Sequence, residues 1–476
     1  MRVLALESST VSAKALLYDS DSETLECSAE RLGFPGQGAE PRDPDAVLRR
    51  VLALGRRHLA GRTVDLVALV STWHGLTLQR DDGTSLTPVF EWPYAGAQPV
   101  TTALRADPGF VRWYYERTGT GVSSIYASFK LKMLAGQGVD LGAGLVMDQG
   151  SVMFQRLTGV FATTISLASG GGLLSLAADG WDREVAAGLG VGAARLLDFL
   201  PPRSWRPLTA TGAAALGLPV GTPVLAPGAD GGLSQLGDGT TGPGQMTFSM
   251  GTSGAIRVAA PTPVLSDHNA TWCYRTPDSW LSGVATSGCG NVVDWAHDRF
   301  FGPGTGFAAV EASLRPGARD VPVFLPFLFG ERCPGWLDDR RGGFAGLEPW
   351  HDTVDLYQAV LQGVVFNLRQ CYEELVRLNG RPTRIVLSGG VLASPYLTQL
   401  AADALGAPLE VSTHEHSSAL GAVRLGLTAL GAAASGLDHG PGREIVPDPG
   451  LADYYRERFE AYLDAYTLAV PERRDS

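Results

Sequence analysis

The stretch Leu6-Glu7-Ser8-Ser9-Thr10-Val11-Ser12-Ala13-Lys14 occurs a second time, in weaker form, as Phe248-Ser249-Met250-Gly251-Thr252-Ser253-Gly254-Ala255-Ile256. In both copies an apolar run leads into small residues and then into a second run, which predicts a strand, a tight turn and a strand. Each copy would open its own half of the 476-residue chain. The repeat therefore predicts two similar lobes, each of which offers a turn to a shared cleft.

The boundary between the lobes is predicted in the glycine-rich segment 237–244, which offers turn residues and almost nothing to bury. We expect one domain over residues 1–242 and a second over residues 243–476. Short β-rich runs alternate with helical stretches in both, which is typical of an α/β architecture with parallel or mixed sheets.

The clearest helical pattern begins with Asp352 or Thr353 as N-cap, and Gly363 inside it would allow another backbone to come close. A strand over residues 384–387 follows, then Ser388-Gly389-Gly390, then a second helix from about Ser394. Tyr454, Tyr455, Phe459 and Tyr462 predict a packed terminal helix rather than a site.

Composition excludes several classes of protein. The net charge is −11 and the arginines are scattered, so the sequence predicts no basic stripe that would bind nucleic acid. Apolar runs such as 321–329 are too short to span a membrane, and the first residues lack the basic region and cleavage site of a signal peptide. Five dispersed cysteines form no CxxC pair. We therefore expect a reduced, cytoplasmic protein, and a homodimer stays open.

The two turns of the repeat are candidate anion sites. Small residues leave backbone N–H groups free, and Ser or Thr hydroxyls add donors, so two facing turns suit the phosphates of a nucleotide. An ordinary β-hairpin explains either turn alone. A P-loop is excluded because none of the three lysines follows a glycine, and no His-Arg-Asp catalytic loop occurs.

Asp230 lies in Pro227-Gly228-Ala229-Asp230-Gly231-Gly232, just after the apolar run 223–226. A carboxylate at a strand end, between glycines that let a substrate approach, suits a general base for a hydroxyl nucleophile. A simple turn aspartate is the equal alternative.

Two further segments carry candidate substrate contacts. Trp73-His74-Gly75 follows the strand 66–70, and an aromatic ring beside a histidine suits a polyhydroxylated substrate, although a lone histidine is more often structural. Gly330-Glu331-Arg332-Cys333-Pro334 places a charge pair after an apolar run. That pair is either a structural ion pair or a substrate contact.

In their order along the chain, these segments resemble the FGGY family of carbohydrate kinases. The most specific pieces are Trp181-Asp182, Gly-Ala-Asp230-Gly, Met250-Gly-Thr-Ser-Gly254, Gly330-Glu-Arg-Cys-Pro334 and Ser388-Gly-Gly390. The resemblance runs from about residue 3 to about residue 430. It implies an α/β, two-lobed, actin/Hsp70/hexokinase-like (ribonuclease H-like) fold with the active site in the interlobe cleft.

The resemblance also implies roles for single residues. It implies ATP-dependent phosphorylation of a sugar or sugar-acid hydroxyl, with Asp230 as the base and with Mg²⁺ held near Glu7 and Asp230. Trp73 and His74 would contact the sugar. The residues implied at the nucleotide are Thr10, Ser12, Lys14, Gly251, Thr252, Ser253, Gly389, Gly390 and Ser394.

The chain departs from the family pattern in two places. Relatives usually read Asp-x-Gly-Thr where this chain has Glu7-Ser8-Ser9-Thr10, so the carboxylate is one methylene longer and a glycine is replaced. Relatives often read Trp-Asn-Asp-x-Arg where this chain has Trp92-Pro93-Tyr94-Ala95-Gly96. A catalytically impaired nucleotide- and sugar-binding protein on the same fold is therefore the alternative from another class.

The segment after the implied base bears on the substrate. Asp230-Gly231-Gly232-Leu233 is more similar to gluconate kinases than to xylulose kinases, which tend to have Asp-Asn there. The resemblance favours gluconate, with a xylulokinase or another pentulose or polyol kinase as the alternative.

Overall fold

A computed structural model of the chain describes residues 1–34, 39–302, 304–318, 320–434, 437, 440 and 442–468. Each half of the chain is built around one mixed sheet of seven strands that is covered by helices. The predicted two-lobed α/β fold is confirmed. No helix among the described residues combines the length and the apolar character that a membrane span requires.

The strands of the first half are β1 (Arg2–Ser8), β2 (Ser12–Asp19), β3 (Thr24–Arg31), β4 (Leu66–Ser71), β5 (Thr77–Gln79), β6 (Leu145–Met147), β7 (Thr163–Thr164), β8 (Arg195–Leu196), β9 (Phe199–Leu200), β10 (Trp205–Pro207), β11 (Pro223–Leu225) and β12 (Gly228–Ala229). Its helices are α1 (Pro44–Leu59), α2 (Gln98–Arg105), α3 (Pro108–Thr118), α4 (Ala127–Gly136), α5 (Gln149–Thr158), α6 (Ile165–Ser169), α7 (Arg183–Gly188), α8 (Ala210–Leu216) and α9 (Asp230–Gly237).

The strands of the second half are β13 (Gln245–Met250), β14 (Gly254–Ala260), β15 (Trp272–Arg275), β16 (Trp280–Thr286), β17 (Val323–Leu325), β18 (Gly343–Ala345), β19 (Arg384–Ser388), β20 (Leu409–Val411) and β21 (Glu444–Ile445). Its helices are α10 (Gly290–Phe300), α11 (Phe307–Glu311), α12 (Thr353–Asn379), α13 (Pro395–Leu405), α14 (Ser417–Ala429) and α15 (Ala452–Leu468).

The two main sheets share a topology. The order β3-β2-β1-β4-β11 in the first corresponds to β16-β14-β13-β19-β20 in the second. In each sheet three antiparallel strands are followed by two that run parallel to the first strand of the lobe. Both copies of the repeat form a strand, a turn and a strand, as predicted, and both turns lie at the carboxyl end of the central strand.

Helix α12 follows its sequence signals closely. Asp352 caps it, and the side chain of Asp355 bonds back to the Asp352 backbone to complete a capping box. Gly363 lies against β17, where a Cβ would overlap the carbonyl oxygen of Phe324. The terminal helix α15 buries Tyr455, as expected for a packed element.

Helices α9 and α14 cross between the lobes at very short range. A Cβ at Gly237 would overlap the carbonyl oxygen of Ser417, and a Cβ at Gly421 would overlap that of Leu233. Helix α14 comes from the second half of the sequence but packs on the first sheet, where Val423 joins one core cluster with strand residues of β1 and β4. The crossing therefore joins the second half of the chain to the first sheet.

The segment 237–244 is not a bare connection, and the expectation that it buries almost nothing is wrong. Asp238 accepts hydrogen bonds from Ser412 and Ser417 at 2.9 and 2.5 Å, and Thr240 is fully buried. These contacts belong to the helix crossing. A domain boundary near residue 242 stays a prediction.

Candidate active site

Three parallel strands of the first lobe end at one edge of the sheet. The register pairs Ser8 of β1 and Ala229 of β12 with Ser71 of β4. The residues that follow these strands therefore lie close together, as ligand-binding residues do in open α/β sheets. Asp230 follows β12, and residues 72–75 follow β4.

Asp230 is the first residue of α9, and its carboxylate is partly buried in the cleft. Its Oδ1 accepts a hydrogen bond from the Gly231 backbone at 2.7 Å. Burial raises the pKa of Asp230, the Arg257 guanidinium opposes that rise, and the Glu7 carboxylate adds to it. A carboxylate with a raised pKa is better matched to proton transfer than an exposed aspartate.

The first turn, residues 9–11, is tied to the protein by its side chains. The Ser9 hydroxyl donates to the Ser12 carbonyl at 2.9 Å, and the Thr10 hydroxyl accepts from the Trp92 indole at 2.7 Å. Ser9 keeps an ordinary negative φ, so the glycine that relatives carry there is not required by the backbone.

Glu7 and Lys14 are direct partners across β1 and β2. Lys14 Nζ lies 2.8 Å from Glu7 Oε1, and the Ser418 hydroxyl of α14 donates to Glu7 Oε2 at 2.6 Å. Coulombic attraction to Glu7 raises the pKa of Lys14 against the opposing effect of burial. A charge pair of the first lobe is thus linked directly to a helix from the second half of the chain.

The second turn, residues 251–253, is held through its backbone. The Gly251 amide donates to the Ser253 carbonyl at 3.1 Å, and the Gly251 carbonyl accepts from Gly290 at 2.8 Å. Thr252 is exposed and Ser253 is partly buried. Neither hydroxyl has a hydrogen-bond partner among the described residues, so both remain available to an anion.

Gly389 and Gly390 lie beside the second turn because β19 runs parallel to β13. Gly389 has φ +101°, and a Cβ there would approach the Met250 carbonyl oxygen to 2.5 Å. Both glycines are exposed. Ser394 caps α13 by accepting from the Leu397 amide at 3.0 Å, so its hydroxyl already has a structural partner.

One cavity joins residues of both lobes and brings together four of the predicted site residues: Trp73, His74 and Asp230 from the first half, and Ser253 from the second. Its remaining lining residues are Thr72, Trp92, Ala255, Arg257, Trp272, Tyr274, Ala285 and Arg332. Of the other predicted nucleotide residues, Thr10 bonds to Trp92 of the lining, and Gly251 and Thr252 directly precede Ser253. Ser12, Lys14, Gly389, Gly390 and Ser394 are not among the lining residues. The cavity is the candidate acceptor pocket.

Aromatic rings form one wall of the pocket. Trp272 and Tyr274 are stacked with their centroids 4.1 Å apart, and Trp73 meets Tyr274 edge-on at 5.0 Å. The Trp73 indole is fixed by donating to the Ser166 carbonyl at 2.8 Å. Such a wall offers apolar faces to the C–H surface of a carbohydrate.

His74 adds a hydrogen-bond acceptor to the pocket. Its Nδ1 lies 2.6 Å from the Gly170 carbonyl oxygen, which can only accept, so Nδ1 carries the proton. Burial lowers the pKa of His74 well below its usual value, and the nearby Arg332 lowers it further. The ring is therefore neutral and keeps the Nε2 lone pair for a ligand.

The backbone of His74 is held by a buried lysine. His74 has φ +73°, a left-handed conformation that is uncommon for a side-chain-bearing residue. Lys130 Nζ donates to the carbonyls of His74 at 2.9 Å and of Glu91 at 2.8 Å. Burial lowers the pKa of Lys130 to about 7.

The charge pair at residues 331–332 has two separate roles. Glu331 forms a buried ion pair with Arg340 at 3.0 Å and accepts from the Tyr466 hydroxyl of α15 at 2.6 Å. Arg332 turns the other way and lines the pocket, with its guanidinium 5.6 Å from the Trp92 ring centre. Glu331 therefore belongs to a structural ion pair, whereas a substrate contact by Arg332 stays a prediction.

Sequence reasoning missed Arg257, Trp272 and Tyr274. The available signal was Arg257 itself, a charged residue inside the otherwise apolar strand β14. Ala255 and Arg257 are two residues apart on that strand and both line the pocket, as residues on one face of a strand do.

No group of three or more His, Cys, Asp or Glu side chains forms a metal site in the described part of the chain. Mg²⁺ typically uses one or two carboxylates, several waters and substrate phosphates, so a smaller donor set suffices. Glu7 and Asp230 supply oxygen donors of the right kind, and Glu7 is near enough to raise the pKa of Asp230. The residues present fit this ion when phosphates accompany it.

Comparisons with known proteins identify the family. The N-terminal domain model of the FGGY family of carbohydrate kinases matches residues 2–237, and the C-terminal domain model matches residues 246–430. A gluconokinase of Bacillus subtilis (strain 168) is 26% identical, with 90% of this chain and 88% of that protein covered. A xylulose kinase of Escherichia coli (strain K12) is 25% identical, with 98% and 99% covered.

Solved structures show the same fold. A gluconate kinase from Lactobacillus acidophilus superposes with a TM-score of 0.90 at 24% identity, and covers 99% of this chain and 98% of its own. A xylulose kinase from the same organism gives the same TM-score and identity, with 99% of both chains covered. Because family models match both halves, the chain is a phosphotransferase with an alcohol group as acceptor, and it belongs to the FGGY family of carbohydrate kinases.

Proposed function

We propose that this enzyme transfers the γ-phosphate of ATP to a hydroxyl group of a sugar acid, with gluconate as the favoured acceptor and Asp230 as the general base. The observation that carries the proposal is the placement of Asp230. Its carboxylate lines a pocket with aromatic walls and a neutral histidine, and the pocket also contains Ser253 of the second turn. The similarity to gluconokinases supports gluconate.

In the proposed reaction the acceptor hydroxyl gives its proton to Asp230 while its oxygen bonds to the γ-phosphorus. The bond from that phosphorus to the bridging oxygen breaks, and ADP leaves. Turn 251–253 would hold the nucleotide phosphates with its amides and hydroxyls, while His74 would orient an acceptor hydroxyl. Glu7 and Asp230 would hold Mg²⁺, which neutralises phosphate charge when bound.

A xylulose or polyol acceptor is the alternative within this reaction class, because xylulose, glycerol and erythritol kinases are also similar to the chain. The catalytically impaired alternative rested on Glu7, on Ser9 and on the missing Trp-Asn-Asp pattern, where this chain has Trp92-Pro93-Tyr94. Ser9 forms its turn without backbone strain, and Glu7 is anchored by Lys14 and Ser418, so the structure offers no specific observation in its favour.

The test is ADP release measured with D-gluconate, xylulose, ribulose, glycerol and related polyols under one set of conditions. We expect gluconate to stimulate release most strongly. Release that no acceptor stimulates would overturn the proposal, and a preference for xylulose would favour the alternative acceptor.

A further inference from the structure

Two guanidinium groups, of Arg257 and Arg332, enter the acceptor pocket together with Asp230. Arg332 is only 7% exposed, and its Nε is buried without a hydrogen-bond partner. The Nε of Arg257 is also buried without a partner, and its Nη1 makes only a long contact of 3.4 Å to the Ser249 hydroxyl. Both guanidinium groups therefore have few hydrogen-bond partners within the protein itself.

The carboxylates around the pocket do not balance these charges. Glu331 pairs with Arg340 and accepts from Tyr466, and Glu7 pairs with Lys14 and accepts from Ser418. Asp238 attracts Arg257 but does not line the pocket, and it accepts from Ser412 and Ser417. Asp230 is the carboxylate that lines the pocket together with the two arginines, and its charge interacts with that of Arg257. Since a buried charge without a partner is costly, the excess positive charge calls for an anionic ligand.

We propose that Arg332, assisted by Arg257, binds a carboxylate of the acceptor, so that the pocket selects polyhydroxy carboxylates over neutral sugars. This inference rests on the proposed kinase reaction and specifies its acceptor class. The planar guanidinium matches a carboxylate in a two-point hydrogen-bonded geometry. Binding one end of an acyclic acceptor also fixes which hydroxyl reaches Asp230.

The position of Arg332 favours the acceptor over the nucleotide as the source of the anion. Arg332 lies near the Trp92 ring, on the side of the pocket that also contains His74, whose pKa it lowers. The free hydroxyl groups for phosphate lie instead on the second turn, at the exposed Thr252 and at the partly buried Ser253, which also lines the pocket. Phosphate binding by the arginines is the competing outcome of the test.

The experiment compares D-gluconate with D-glucitol, which has the same carbon chain and a neutral CH₂OH group in place of the carboxylate. We expect Arg332→Gln to lower kcat/KM for gluconate about 10- to 100-fold, because hydrogen bonds between charged groups are lost. The value for glucitol and the KM for ATP should change little. Arg332→Lys keeps the charge and should recover part of the loss.

Arg341→Gln is the matched control, because Arg341 is an exposed arginine of the same segment and bonds only to the backbone carbonyls of residues 339 and 340. It should leave both acceptors unaffected. An equal loss for gluconate and glucitol in Arg332→Gln, or a raised KM for ATP, would overturn the inference in favour of a phosphate or structural role.

Calorimetric titration of gluconate without nucleotide separates this inference from the proposed function. If no acceptor is phosphorylated but gluconate binds the wild type and not Arg332→Gln, the proposed function fails and the carboxylate site stands. If gluconate is phosphorylated yet binds both proteins equally, the carboxylate site is wrong and the kinase function stands.

Discussion

The turns at residues 9–11 and 251–253 occupy equivalent places in the two sheets, yet their polar groups have different partners. In the first turn Ser9 bonds to Ser12, and Thr10 bonds to Trp92 of the acceptor pocket. In the second turn the hydroxyls of Thr252 and Ser253 have no partner among the described residues. The side-chain hydroxyls of the first turn are thus bonded within the protein, whereas those of the second turn are open to a ligand.

This difference predicts separate roles for the two turns, one in nucleotide binding and one in the chemical step. A turn with free hydroxyls gains most by binding phosphate, so the second turn should determine nucleotide affinity. The first turn is hydrogen-bonded to Trp92 of the pocket through Thr10, while the neighbouring Glu7 forms an ion pair with Lys14 and lies near Asp230. Substitutions in the first turn and at Glu7 should therefore act mainly on the rate of the chemical step.

Among the substitutions in and beside the two turns, the largest effect is expected for Glu7→Gln, which removes a charge beside both Lys14 and Asp230. We expect kcat to fall about 10- to 100-fold, the range seen when a metal-orienting group is lost. Ser418→Ala is the control: it removes one hydrogen bond to Glu7 and keeps the charge, so its loss should be smaller. Steady-state kinetics that show a change only in the KM for ATP would contradict the division between the turns.

The same variant predicts a direction for the pH profile. The negative charge of Glu7 contributes to the raised pKa of Asp230, so its removal should lower that pKa. Asp230 must be deprotonated to accept the hydroxyl proton, and activity is lost as pH falls through its pKa. The acid limb of kcat/KM should therefore move to lower pH in Glu7→Gln. A limb that moves to higher pH would indicate a different base.

Substitutions in the second turn should act on nucleotide binding. Thr252→Ala and Ser253→Ala should each raise the KM for ATP about tenfold, which corresponds to the lower end, roughly 1.5 kcal/mol, of what a hydrogen bond to a charged group contributes. Ser9→Ala in the first turn is the matched control and should leave this KM nearly unchanged. The KM is measured by varying ATP at saturating acceptor. Equal effects on the KM for ATP from substitutions in the two turns would contradict the proposed difference between the turns.

Local sequence patterns were sufficient to predict much of the fold. The repeat predicted two equivalent strand-turn-strand units, and the capping residue and Gly363 predicted the start and close packing of α12. These features depend on neighbours in the chain. Helix α14 was different, because its packing on the first sheet depends on partners such as Leu233 that are almost 200 residues away.

Local sequence patterns predicted the candidate site to the same degree as the fold. Asp230, Trp73 and His74 follow strand ends, so the sequence could indicate them, and the structure places all three in one pocket. Arg257 and Tyr274 lie inside strands, and which face of a strand meets a cavity depends on the neighbouring strands. The separate roles of Glu331 and Arg332 likewise depend on Arg340 and on the terminal helix.

A smaller effect is expected for Trp92→Phe, which removes the hydrogen bond from the indole to Thr10 and keeps an aromatic ring in the pocket. The net loss should be about 1 kcal/mol, or roughly fivefold in kcat, with little change in the KM for ATP. A change confined to the KM for the acceptor would show that the contact between pocket and first turn does not matter for the rate.

The smallest kinetic effect is expected at Ser394, whose hydroxyl caps α13. Ser394→Ala should lower the free energy of unfolding by about 1 kcal/mol, and Ser394→Gly by only a few tenths. Chemical denaturation measures both. A large increase in the KM for ATP without loss of stability would instead show a direct nucleotide contact by this hydroxyl.

The most direct test of the central claim is to quantify ADP and phosphorylated gluconate together, in wild type and in Asp230→Asn, with ATP affinity measured separately. The account predicts one phosphorylated acceptor for each ADP in the wild type, and a kcat reduced about 10²- to 10⁴-fold in Asp230→Asn, with ATP affinity retained. ADP formed without phosphorylated gluconate, or a variant as fast as the wild type, would contradict it.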